Sequence, residues 1–370
     1  MLRILKNHNR KAVTFGFVIL AAGLASHLMK AGQATEALSS RAKAEMATVS
    51  AASPYIEAHT HFDEKNPAAA VDAALKSMQH QNATMIFFLA PPDTFDHPGK
   101  FDTDVIIPYL KKYPEKFRYL GGGGTLNAMI QQSVCSQDAG PEVQKRFRAK
   151  AEELLGMGAI GLGEVTAEHF PSSTPYQYAP ADHPLFLLLA DIAAEHNVPI
   201  ILHMEAVPQD MNLPADLKSP PNPPRLRANI AAFERLLSHN PRAKIIWAHL
   251  GADYTGYRTI ELDRRLLDRH PNLYMEIKTD PLNPGKNFPL DADGKLRPEW
   301  KKFFSDYSGR FIIGSDQHYP AAPPDPQRWQ SDVLLYNQLP NDLQKKIGTE
   351  NVFRIYPLAS TAAHGVAAGN

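Results

Sequence analysis

From Ala51 onward, short apolar runs alternate with longer stretches in which apolar residues recur every three or four positions. The first pattern suits buried strands and the second amphipathic helices. Eight runs read as strands: residues 55–59, 84–90, 117–121, 159–164, 199–204, 244–249, 273–278 and 311–316. Segments 68–80, 142–156, 185–196, 226–238, 259–269 and 298–307 read as helices between them. Eight strand–helix units predict an α/β fold, a single-domain (β/α)8 TIM barrel over residues 54–358, although an open doubly wound sheet could reach the same count.

The connections are unequal. Helix-to-strand links are three residues long at 81–83, 113–115, 156–158, 270–272 and 308–310. Strand-to-helix links are much longer: 91–104, 122–141, 165–184, 206–225 and 279–297. Loops beyond the usual roughly 2–6 residues tend to carry function, and these lie at the end of the barrel where barrel enzymes keep their active sites. Segment 207–224 holds Pro208, Pro214, Pro220, Pro221, Pro223 and Pro224 and reads as a stiff lid or as a plain surface insertion.

Residues 1–34 stand apart. Arg3, Lys6, Arg10 and Lys11 precede an apolar run over 12–25, and small residues follow at 32–34, with no acid before Glu36. This is the layout of a secretory signal, followed by a linker over 35–53; an uncleaved anchor is the alternative. The apolar run is short against the roughly 20 residues that a spanning helix needs. The sequence therefore predicts a periplasmic or secreted chain whose mature part has no membrane partner. Cleavage would leave 34 basic residues against 39 acidic ones, a net charge of −5. A mildly acidic chain without a basic run argues against nucleic acid as a partner. Cys135 is the single cysteine, so no intramolecular disulfide can form and stability rests on the core. Residues 359–370 read as a C-terminal tail, and a homo-oligomer is left open.

Potential ligands recur at one place on the strands. His59 and His61 alternate across the first strand and so share a side. The fifth strand closes on His203, the sixth on His249 and the eighth on Asp316, with Asp316 expected across the barrel mouth from the histidine pair. Glu164 ends the fourth strand. A core-packing rule explains any one of these, but not four apolar runs each closing on a ligand type. Imidazole and carboxylate together suit a borderline-soft divalent ion such as zinc, which keeps an open position when catalytic and lowers the pKa of bound water to about 7.

Carrying these residues, the chain resembles the amidohydrolase superfamily, and within it the amidohydrolase-related branch, which also contains decarboxylases and lactonases. The likeness rests on His59-x-His61, His203, His249 and Asp316. It is extended by residues 117–127 with their glycines 121–124, by Trp247-Ala248-His249-Leu250-Gly251, and by the closing segment 350–356. It covers roughly residues 54–358. The resemblance implies a metal-dependent hydrolase holding one or two divalent ions, zinc being the expected metal. Asp316 would touch the metal and take the proton of the attacking water; with a single ion His249 would orient that water or polarise the scissile carbonyl, and with two it would hold the second ion together with His203. Glu164 is either a carboxylate bridging two ions or an outer residue tethering the following loop. Single-ion binding by His59, His61, His203 and Asp316 is the preferred arrangement. Glu205 is expected to face the same way as His203. Lys278 and Glu276 share a face of the seventh strand and are either substrate contacts or solvated rim charges.

Other motifs fail. Gly156-x-Gly158-x-x-Gly161 precedes a strand rather than following one, so it is not a dinucleotide turn. Glycines 121–124 lack the ending of a phosphate loop, and there is no Gly-x-Ser-x-Gly elbow. The function expected is hydrolysis of an amide, ester or lactone bond in a small molecule. A metal-dependent non-oxidative decarboxylase and an exported metal- or solute-binding protein without turnover are the alternatives.

Overall fold

A computed structural model describes residues 38–358 apart from 98, 171–175, 219–221, 281–286 and 321–327. The expected signal segment and C-terminal tail lie outside the described residues, as do Pro220 and Pro221. Among the described residues, no helix is long and apolar enough to cross a membrane.

Eight parallel strands follow the chain: β1 (Tyr55–Phe62), β2 (Ala83–Phe88), β3 (Phe117–Tyr119, resuming at Gly121–Gly122), β4 (Leu162–His169), β5 (Pro199–Met204), β6 (Lys244–Leu250), β7 (Leu273–Ile277) and β8 (Phe311–Ile313). Their order in the sheet is β3-β2-β1-β8-β7-β6-β5-β4, ending on Gly121–Gly122. Both ends of that path lie in β3. Its first half pairs with β2 and its second half with β4, through bonds from Leu120 N to Phe88 O and from Gly121 N to Gly161 O. This α/β fold with a mostly parallel sheet is consistent with the expected barrel.

Two apolar layers follow from the strand period. Ile56, Ala58, Met85, Phe87, Leu120, Ile201, Ile246 and Ile312 fill the inside together with Val352, Ile355 and Tyr356. Tyr55, Phe62, Leu202, Trp247, Leu250 and Ile313 belong to the larger cluster between sheet and helices. Among the described residues, four helices begin on proline, at Pro67, Pro141, Pro184 and Pro298. These starts lie at or just before those expected, because the first helical position has no use for an N–H.

Several expected boundaries move. β4 runs Leu162–His169, beginning later and ending five residues beyond Glu164, where Gln177–Tyr178 adds an antiparallel strand that extends it. The helix expected over 226–238 starts at Ile230, because Arg225–Leu226 pairs with Met211–Asn212 in a ribbon. That ribbon belongs to the proline-rich segment, and Leu213 and Leu226 pack with Phe170 and Val207 in a small separate cluster. The loop read over 122–141 contains a helix, Leu126–Ser136. The expected linker 35–53 contains the helix Ser40–Ala47, whose Ala42 and Met46 join the outer core with Leu38.

Candidate metal centre

The C-terminal ends of the strands bring the candidate ligands together. On β1 the inner positions change phase. Ile56 and Ala58 belong to the inside cluster, and a register shift against β2 falls between Glu57 and Thr60. Beyond it Phe62 is outside, while the rings of His59 and His61 meet edge to face at 5.0 Å. Each ring is oriented by its Nδ1. That of His59 lies 2.9 and 3.0 Å from the Glu276 carboxylate oxygens, and that of His61 lies 3.0 Å from the Leu89 carbonyl. Both Nε2 atoms therefore face the barrel mouth.

Glu164 sits between four imidazoles. Its Oε2 lies 3.5 Å from His59 Nε2 and 3.6 Å from His61 Nε2. Its Oε1 lies 2.9 Å from His203 Nδ1 and 3.1 Å from His249 Nε2. Burial opposes its charged form, but His59, His203 and His249 outweigh that and hold the carboxyl well below the usual range. Burial likewise works against a charged His203, yet Glu164 and Glu205 push it up to about 9. Burial and Lys278 push His249 well down. His249 is in the left-handed backbone region, φ 62°, as is Asp316 at φ 56°. Non-glycine residues held there cluster at functional sites.

Asp316 is beside the histidine pair and not across from it, because β8 pairs with β1. Its Oδ1 lies 2.8 Å from His61 Nε2, while Oδ2 accepts from Lys278 Nζ at 2.6 Å and from Arg328 Nη1 at 2.8 Å. Burial raises this carboxyl, but the two cations and His61 outweigh it and lower it well. The eighth strand stops at Ile313, so Asp316 stands on the turn before Gln317–Tyr319 resumes pairing with β1. His203 falls with Glu164 and His249, and not with His59, His61 and Asp316 as the preferred single-ion set required.

The rim-charge reading of strand seven is corrected. Glu276 is fully buried against His59, and Lys278 is buried in its ion pair with Asp316. Glu205 stands one residue beyond β5, buried, with Oε1 3.7 Å from His203 Nε2. Three further residues join the site without a clear signal of their own along the chain. Arg328 comes from beyond the last strand, in a stretch without periodicity. His169 lies on the unforeseen end of β4, its ring edge-on to His203 at 4.6 Å. Glu57 accepts from the Ser315 and His59 N–H groups; its place on β1 two residues before His59 was the available signal.

Among the described residues, three groups of donor atoms lie close enough to hold an ion: His59, His249 and Asp316; His59, His61 and Glu164; and Glu164, His203 and His249. Donors around one ion at about 2.0–2.2 Å stand roughly 3–3.5 Å apart, and the Glu164 contacts, from 2.9 to 3.6 Å, are close to that spacing. His59 Nε2 is buried without a hydrogen bond among the described residues, while its Nδ1 is fixed by a carboxylate, the usual arrangement of a ligating histidine. The residues fit a divalent ion.

Likeness to known proteins lies at the level of family and fold. A family model described as Amidohydrolase matches residues 138–358. A probable 2-pyrone-4,6-dicarboxylic acid hydrolase from Acinetobacter baumannii, solved with citric acid bound, is similar in structure, with a TM-score of 0.51 at 12% identity, covering 82% of this chain and 99% of that one. The 4-oxalomesaconate hydratase of Rhodopseudomonas palustris has a TM-score of 0.49 at 12% identity, covering 82% of this chain and 95% of its own. The 5-carboxyvanillate decarboxylase of Sphingomonas paucimobilis has a TM-score of 0.47 at 9% identity, covering 83% and 99%. At these identities the likeness concerns the fold alone. Among curated proteins no sequence match was found. Because the family match spans more than half of its length, this chain belongs to the Amidohydrolase family.

Proposed function

We propose that the chain is a metal-dependent hydrolase that cleaves an amide, ester or lactone bond of a small molecule, with two divalent ions, expected to be zinc, sharing Glu164. The observation that carries this reading is the Glu164 carboxylate, each of whose oxygens faces a different imidazole pair. His59, His61 and Asp316 would hold one ion, and His203 and His249 the other. When bound, the metal supplies Lewis acidity, polarising a carbonyl and making water acidic near neutrality.

The side chains do the rest. Lys278 and Arg328 hold Asp316 by Oδ2, which leaves Oδ1 to accept the proton of the attacking water. As the water oxygen bonds to the carbonyl carbon and the carbon–heteroatom bond breaks, that proton passes to the leaving group. Glu205 and Lys278 border the space for the substrate. The basic-then-apolar segment before residue 35 supports export of the chain.

Reaction in ¹⁸O-labelled water tests the reading once a substrate is found in a screen of lactones, esters and amides. One heavy oxygen is expected in the product. Release of carbon dioxide without solvent oxygen in the organic product would establish decarboxylation instead.

A further inference from the structure

The ends of β5 and β6 are tied together by two residues that touch none of the groups expected to react. Trp247 donates its indole N–H to Met204 O at 2.7 Å, one residue after His203. Arg258, buried in the loop after β6, donates Nη2 to Trp247 O at 3.2 Å and Nη1 to Ala248 O, the residue before His249. Its guanidinium lies 3.9 Å from the centre of the Trp247 ring. Arginine is suited to this double task, because its plane stacks on an aromatic face while its fork reaches two acceptors.

The position of these bonds is informative. The register between β6 and β7 shifts between Trp247 and Leu250, so the ladder is interrupted where the chain must swing His249 into its left-handed conformation. Buried carbonyls in such a gap need donors, and Arg258 supplies them. Thr255, three residues earlier in the same loop, donates its hydroxyl to Ala206 O at 2.7 Å, a second tie to the end of β5. Among the described residues, no comparable hydrogen bond reaches β1 or Asp316 from the side chain of Arg258 or Trp247.

We infer that Arg258 and Trp247 form a positioning bracket that sets His203 and His249 relative to each other and so governs one of the two metal positions, that of Glu164, His203 and His249, without governing the other. The inference rests on the two-ion reading above. It requires loss of Arg258 to weaken one equivalent of metal selectively, because a ligand held at the wrong angle commonly loses about 10–100-fold in affinity.

Cobalt(II) titration of the full-length metal-free protein, followed by visible absorption against a competing chelator, tests this. Asp263, fully buried 3.8 Å from Arg258 Nε, would be left uncompensated by a single change. The variant is therefore Arg258→Met with Asp263→Asn, compared with Asp263→Asn alone. Two equivalents are expected for wild type and for Asp263→Asn. In the double variant one equivalent should weaken about 10–100-fold and show an altered spectrum, with the other unchanged. Trp247→Phe, which keeps an aromatic ring but loses the indole N–H and the fused five-membered ring, should weaken the same equivalent to a smaller extent and covers the case in which the double variant does not fold. Two unchanged equivalents, or equal weakening of both, would overturn the bracket. A wild type that saturates at one equivalent would overturn the two-ion reading and the bracket with it.

Discussion

His59 turns its Nδ1 onto Glu276, 2.9 Å from Oε1, with both side chains sealed from solvent. This contact decides which nitrogen of His59 faces the mouth. Gly314 makes it sterically feasible: a Cβ there would lie 2.4 Å from Glu276 Cδ and 2.7 Å from His59 Cβ. Glu276→Gln should weaken metal binding about 10–100-fold, and Gly314→Ala should weaken it as well by displacing the pair. Competition with a chelator of known affinity reads both, and wild-type affinity in Glu276→Gln would remove its orienting role.

Saturation with zinc is expected at two ions per chain. Glu164→Gln should lower it towards one, since an amide offers one neutral acceptor where the carboxylate offers two charged ones. Elemental analysis after gel filtration measures this, and a variant that still binds two ions would rule out a shared carboxylate.

Asp316→Asn should lower kcat by about 10²–10⁴ on any substrate that is turned over, the usual loss when a general base is removed. Asparagine can still accept from Lys278 and Arg328, so part of the metal should remain. The ratio of activity to bound metal is the quantity to compare. A ratio equal to that of wild type would assign proton transfer to another group.

Glu168 gives a pH signature away from the ligand atoms. Burial pushes its carboxyl from 4.5 up to about 8, against hydrogen bonds from Tyr176 and Asn229 and with nearby Glu205 adding to the rise. Between about pH 4.5 and 8 the folded chain keeps a proton that the unfolded chain has released. The contribution of this group therefore makes stability fall as pH rises through that window. Urea unfolding of the metal-free protein at pH 5 and pH 8 should show a smaller fall for Glu168→Gln than for wild type. Equal falls would mean that Glu168 is ionised in the folded chain.

Export predicts a mature N-terminus between about residues 26 and 38. Later cleavage would strip Leu38 and then the helix Ser40–Ala47, whose Ala42 and Met46 are packed into the core. N-terminal sequencing from the native host checks this, and an intact Met1 in the soluble fraction would refute export.

The strand pattern and its ligand-bearing ends were legible in the sequence, because burial on a sheet imposes a period of two and a run ends where the chain leaves the core. The apolar runs of β5, over Pro199–Met204, and of β6, over Lys244–Leu250, each carry a histidine near the strand end, as those runs suggest. What depends on neighbours in space was not legible. That His59 and His61 face inward after Ile56 and Ala58 have done so requires a shift of register against β2. That Glu164 lies between two imidazole pairs requires four strands to converge at one level of the barrel. Glu276 and Lys278 look like rim charges along the chain and are buried ion partners in the fold, because β1 and β8 close over them. Asp316 seemed to face the histidine pair from across the mouth, yet closure of the ring sets it beside them. Periodicity reports how each strand divides inside from outside, and only the pairing of distant strands decides which charges meet.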